Sequence, residues 1–190
     1  MENILKSSIK DSFLILKKIQ ESDEFFENLE NICNLCVLSI KNGGKIIFAG
    51  NGGSAADSQH LCAELIGRFK KDRPPINSIS LNTNTSSLTA IANDFDYSDI
   101  FSRQLEAVGN YKDLLIAIST SGNSKNIVEL VKKAKNMDIT SIGLSGEEDS
   151  LLKSLCDYII NIPSKDTAKI QEGHILIGHI ICDYIEKNLF

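Results

Sequence analysis

The chain has no excess of positive charge: its 20 Lys and Arg face 25 Asp and Glu, for a formal net charge of −5. Binding a phosphate backbone needs clustered positive charge, so nucleic acid is not an expected partner. No apolar run reaches the ~18–20 residues that span a bilayer, so no membrane partner is expected either. The opening Met1-Glu2-Asn3-Ile4-Leu5-Lys6 lacks a basic stretch leading into an apolar one. No secretion signal is read there, and the expected location is cytoplasmic. The five cysteines (Cys33, Cys36, Cys62, Cys156 and Cys182) are odd in number and scattered through apolar runs, which argues against a disulfide framework. Cys33 and Cys36 have C-x-x-C spacing, but no second pair completes a zinc site and the motif lies in a helical pattern. The thiols read as reduced, buried and hydrophobic in role. G-x-G-x-x-G and the lysine-bearing P-loop are absent, as are internal repeats and low-complexity linkers.

With 42% hydrophobic residues over 190 positions, the chain can build a proper core, and it reads as a single domain, 1–190. Residues 1–42 read as two amphipathic helices: Ile4, Leu5, Ile9, Phe13, Leu16 and Ile19 recur at helical spacing, as do Phe25, Leu29, Ile32, Leu35, Cys36 and Ile40. Ser22-Asp23 separates them and Gly43-Gly44 ends the second. This N-terminal extension needs cover for its apolar stripe, either from the rest of the chain or from a subunit interface. Beyond it come five short, β-branched-rich runs: Lys45–Ala49, Ser78–Leu81, Leu114–Ile118, Thr140–Leu144 and Tyr158–Ile162. Helical stretches at 54–68, 97–107, 124–136 and 166–188 lie between and after them. Continuous apolarity predicts strands buried on both faces, hence an α/β fold: a three-layer αβα sandwich around a five-stranded parallel sheet.

Two strands run into loops suited to an anion. The first loop is Gly50-Asn51-Gly52-Gly53-Ser54, and the second is Ser119-Thr120-Ser121-Gly122-Asn123-Ser124. Glycine permits close backbone approach, and a helix N-terminus offers unpaired N–H groups and a positive dipole end. Turn-and-cap duty alone would account for some of these residues. Four hydroxyls in six residues exceed what one cap needs, so a small phosphorylated ligand is expected.

The three histidines of the chain are few enough to consider one by one. His60 and Glu64 are four apart and share a helix face. His179 sits between Gly178 and Ile180-Ile181-Cys182, an apolar setting that a histidine does not occupy without a partner. Gln171 precedes it by eight residues, about 80° around the helix. Histidine and carboxylate donors, with Gln171 as a weaker oxygen donor, form a possible set for zinc or another transition metal.

Taken together, the segments 50–65, Leu88–Asp94, Ser119–Ser124 and Thr167–His174 with His179 resemble the sugar isomerase (SIS) family, and within it the phosphoheptose isomerases. The likeness covers essentially the whole chain. The serine-rich loop is common to many SIS domains, whereas the combination of His60, Glu64, Gln171 and His179 is more specific. The resemblance implies that these four hold one Zn²⁺ per subunit, with Glu64 and His179 catalytic. It implies that Ser119, Thr120, Ser121 and Ser124 hold the phosphate. Asn51, Gly52, Gly53, Glu64, Asn93, Asp94 and Gln171 would contact the sugar. Lys169 stands where an arginine is usual, outside that set. The implied activity is interconversion of sedoheptulose 7-phosphate and D-glycero-D-manno-heptose 7-phosphate through an enediol, in a homotetramer whose active sites draw on more than one subunit. The product would feed heptose for lipopolysaccharide or capsule. Two other readings stand beside it: a non-catalytic SIS interaction module, and an isomerase of another sugar phosphate such as arabinose 5-phosphate.

Overall fold

The computed structural model describes residues 3–190; Met1 and Glu2, at the head of the expected first helix, lie outside the described residues. The apolar runs form β1 (Ile46–Gly50), β2 (Ser78–Ser80), β3 (Leu114–Ile118), β4 (Thr140–Gly146) and β5 (Tyr158–Ile162). They make one all-parallel sheet in the order β2-β1-β3-β4-β5. β1 and β3 are buried along their whole length, as their unbroken apolarity requires. Successive side chains on a strand point to opposite faces, and the two cores divide accordingly. Ile46 and Phe48 of β1 pack on one side with α1 (Ile4–Gln20), α2 (Asp23–Lys41), α3 (Gly53–Ile66) and α8 (Thr167–Leu189). Ile47 and Ala49 pack on the other side with α4 (Thr85–Asp94), α5 (Ser102–Val108), α6 (Lys125–Asn136) and α7 (Leu151–Leu155). This is the expected αβα sandwich.

The strand order reverses between β1 and β3. In open parallel sheets ligands bind outside the carboxyl ends of the strands, at such a switch point. The loops that follow β1 and β3 are the two that the sequence marks for an anion.

Several boundaries differ from expectation for local reasons. Lys45 lies outside β1: its backbone N–H and its Nζ both bind the Asp113 carboxylate, at 3.0 and 2.6 Å. β4 runs on to Gly146, which pairs with Ile162. The helix expected at 97–107 divides into a 3₁₀ turn, Tyr97–Asp99, and α5, with Ile100 and Phe101 turned into the core between them. The Asp96 side chain accepts from the Ser98 N–H at 2.8 Å and sets the start of that turn. α4 and α7 carried no helical signal. α4 is Ser- and Thr-rich with no buried residue, and α7 is five residues long, too short to display a period.

The leading helices meet at Ser22, whose Oγ accepts from the Phe25 N–H at 3.2 Å. α2 buries Leu29, Ile32, Cys33, Cys36 and Val37 against the sheet. α1 buries only Ile19, leaving Ile4, Ile9 and Phe13 at 81%, 72% and 64% exposure. The rest of the chain therefore covers the stripe of the second helix and not that of the first.

Candidate functional site

The helices that follow the two marked loops lack the side-chain cap that most helices here carry, α5 being the other without one. α1, α2, α4, α7 and α8 each begin with a side chain that accepts a backbone N–H of the first turn. α3 starts at Gly52 and α6 at Ser124, and neither makes a side-chain cap bond. Ser124 Oγ instead meets Ser119 Oγ at 3.1 Å, so two of the four expected hydroxyls are drawn together inside the loop. Gly52 has φ +56° and Gly122 φ +63°, a left-handed conformation that glycine adopts without strain. A Cβ on Gly122 would also collide with the Ser150 hydroxyl behind it. Thr120 and Ser121 complete the rim, the latter exposed. Together these residues form a cradle of backbone N–H and hydroxyl groups, the donor types that suit an anion.

Between the loops, Asn51 is held in place. Its Nδ2 donates to Asn126 Oδ1 at 2.8 Å, Asn126 Nδ2 returns a bond to Asn51 Oδ1 at 2.9 Å, and Tyr97 Oη donates to the same Oδ1 at 3.3 Å. Asn126 is buried at the start of α6, so this amide pair ties the glycine turn to the helix behind the serine loop. Asn82 braces the turn from below, exchanging hydrogen bonds with both backbone groups of Gly50 at 3.2 and 2.8 Å. Asn93 and Asp94 lie exposed at the end of α4 and bond to each other at 2.9 Å. Asn126, Tyr97 and Asn82 escaped the sequence reading because each is a common residue type whose partner is distant along the chain.

The second half of the site is built from α3 and α8, which pack side by side. His60 Nε2 lies 3.0 Å from Glu64 Oε1, and His179 Nε2 lies 3.2 Å from His60 Nε2. One donor atom from each of the three residues falls within 4.8 Å of the others. Ligands at ~2.0–2.1 Å in a tetrahedral site sit roughly 3.3 Å from one another, close to the 3.0 and 3.2 Å that His60 makes with its two neighbours. Two imidazole nitrogens and a carboxylate oxygen converging on one point are therefore a donor set that fits a divalent metal. Within one protomer three donors converge, fewer than the four of a closed structural zinc site. The Phe69 ring lies 5.6 Å from that of His179, tilted by 40°. Asp57, one turn before His60, carries a buried Oδ2 with no hydrogen-bond partner. Burial pushes its pKa up, and positive charge on His60 and His179 opposes the rise.

Gln171 does not join these three within the protomer. Its amide packs on Gly53, where any Cβ would collide with it. Gly53 and Gln171 precede His60 and His179 by seven and eight residues, roughly 10–12 Å at 1.5 Å per residue. Gln171 therefore borders the glycine turn. Glu64, eleven residues beyond Gly53, lies roughly 16 Å down the same helix. The anion cradle and the His–Glu–His cluster occupy opposite ends of α3.

The chain belongs to the SIS domain family, whose model matches residues 9–146. Within that family it is similar along its whole length to phosphoheptose isomerases. That of Clostridium acetobutylicum is 46% identical over 190 residues, covering 100% of this chain and 97% of that protein. That of Sulfurimonas denitrificans is 49% identical over 190 residues with the same coverage. The solved structure of phosphoheptose isomerase from Neisseria gonorrhoeae superposes with a TM-score of 0.90 at 36% identity, covering 96% of this chain and 97% of that one.

Proposed function

We propose that this chain is an aldose–ketose isomerase interconverting D-sedoheptulose 7-phosphate and D-glycero-D-manno-heptose 7-phosphate. The observation that carries the reading is the convergence of His179 on the His60–Glu64 pair, in a chain similar throughout to phosphoheptose isomerases. Glu64 removes the proton from C1 as the C1–C2 double bond forms and O2 takes up a proton. The enediol then loses the O1 proton as C2 regains one from Glu64, leaving the aldehyde at C1. His179 moves the protons on O1 and O2. His60, bonded to Glu64, orients the carboxylate. Zn²⁺, when bound, would be held by His60, Glu64 and His179 and would supply Lewis acidity toward a sugar oxygen.

The hydroxyls of Ser119, Thr120, Ser121 and Ser124 hold the phosphate. Binding energy collected there, far from the reacting carbons, sets the register of the sugar. Asn51, Gly52, Gly53, Asn93, Asp94 and Gln171 face the sugar chain. The separation of the cradle from the cluster along α3 supports a shared site, in which a neighbouring copy brings its His–Glu–His cluster to the glycine turn. Gln171, which packs on Gly53 at that turn, would then be a further donor toward the neighbouring copy's His–Glu–His cluster. Residues 1–42 form the helical extension of a single-domain subunit, and the exposed apolar face of α1 supports a homotetramer packed through it. The five free cysteines support a reducing cytoplasm as the setting, with the product feeding surface heptose.

The test is turnover. Wild-type protein given sedoheptulose 7-phosphate should produce the aldose and contain about one zinc per chain by elemental analysis. Glu64→Gln should reduce kcat at least ~10³-fold while keeping the fold and affinity for inorganic phosphate. Substantial turnover by Glu64→Gln would remove this carboxylate from the proton transfer.

A further inference from the structure

Residues 67–73, the loop leaving α3, are fastened to α8 by one buried ion pair. The side chains of Arg73 and Glu186 are each 1% exposed. Glu186 accepts from the backbone N–H groups of Phe69, Lys70 and Lys71 at 3.2, 2.9 and 2.8 Å, and from Arg73 Nε at 3.0 Å. Burial by itself would raise the Glu186 pKa; these four donors outweigh it and hold the group ionised. The remaining Arg73 nitrogens donate to the carbonyls of Glu64 at 2.9 Å, Leu65 at 2.8 Å and Pro74 at 3.1 Å. Glu64 and Leu65 belong to the last turn of α3, whose carbonyls have no partner within the helix.

The pair thus touches the cluster from two directions. Arg73 grips the backbone of Glu64 itself. Glu186 lies seven residues, two turns, beyond His179 on the same face of α8. By collecting three successive N–H groups it holds the loop so that Phe69 lies against the His179 ring. A loop tie alone would not require that one end of the network rest on the carboxylate residue and the other back the imidazole.

We propose that Phe69, Arg73 and Glu186 are positioning residues for the isomerase site, fixing the relative pose of Glu64 and His179. The assignment rests on the isomerase reading above. It predicts losses in kcat and metal affinity with little change in KM, since the phosphate cradle lies at the other end of α3. Phe69→Leu keeps the ion pair and most of the apolar volume but removes the ring. In the full chain its kcat should fall about tenfold with KM within about twofold, and zinc affinity by chelator competition should weaken about tenfold. Phe69→Tyr should restore both. Glu186→Gln, if folded by circular dichroism, should share the phenotype; if it does not fold, Phe69→Leu decides. Wild-type kcat, wild-type zinc affinity, or a change confined to KM in Phe69→Leu would overturn the proposal. If the wild-type protein itself does not turn over sedoheptulose 7-phosphate, the functional reading fails, and zinc competition alone decides the positioning role.

Discussion

His174 is the third histidine and lies apart from the His60–Glu64–His179 cluster. It is fully buried, and because a carbonyl can only accept, its Nε2 carries the proton donated to Ser145 O at 3.1 Å. Nδ1 has no partner. Burial depresses its pKa from 6.5 to about 4, against the opposing pull of the Ser145 carbonyl. Between those values the unfolded chain binds a proton that the folded chain refuses. The contribution to stability is complete above pH 6.5 and drains away as pH falls toward 4, by up to about 3 kcal/mol. Urea midpoints for wild type should drop between pH 7 and pH 4.5, and His174→Gln should show a shallower drop; equal slopes would contradict the assignment. His60, Glu64 and His179 were legible as candidates because histidine is scarce here and four-residue spacing makes a pair visible. Phe69, Arg73 and Glu186 were not: the two members of the ion pair are 113 residues apart, and neither type is unusual on a surface helix or loop.

At the scale of elements, the site depends on how closely α3 and α8 approach. Gly178 allows it: a Cβ there would lie 2.5 Å from both methyl carbons of Leu61, which is 1% exposed. The sequence showed an incongruous histidine beside a glycine, but not that this glycine is the contact point of two helices. Gly178→Ala must push the helices apart or force Leu61 off its rotamer, an overpacking cost of about 1–3 kcal/mol. A lower melting temperature is expected, together with reduced kcat, because residue 179 moves with its neighbour. A variant as stable and active as wild type would mean the helices accommodate the methyl. Strands β1 and β3 were legible for the opposite reason: full burial leaves only apolar residues, which is a local signal. α4 left none: only Leu88, Ile91 and Ala92 touch the core, each partly buried, and the rest of the helix is mostly polar.

Across the whole molecule, the leading segment divides into a covered helix and an uncovered one. Lys169 connects α1 to α8: its Nζ donates to Ser8 and Ser12 Oγ at 3.1 and 2.8 Å and to Glu172 Oε1 at 2.9 Å. α1 is thus pinned by polar contacts along one flank while its apolar face stays open, the surface through which the proposed tetramer would pack. The sequence revealed the stripe on each helix but not which would remain open, because that depends on where the sheet ends.

The length of α3 between the glycine turn and Glu64 has a genetic consequence. If each catalytic centre joins the cradle of one polypeptide to the carboxylate of another, two differently crippled chains can rescue each other. Glu64→Gln lacks the proton carrier, and Ser121→Glu sets a negative charge against the phosphate. Each should be inert alone, yet mixed and reassembled they should regain about a quarter of normal turnover from random pairing of intact halves. A blend as dead as its parents would mean that every centre is furnished by a single chain.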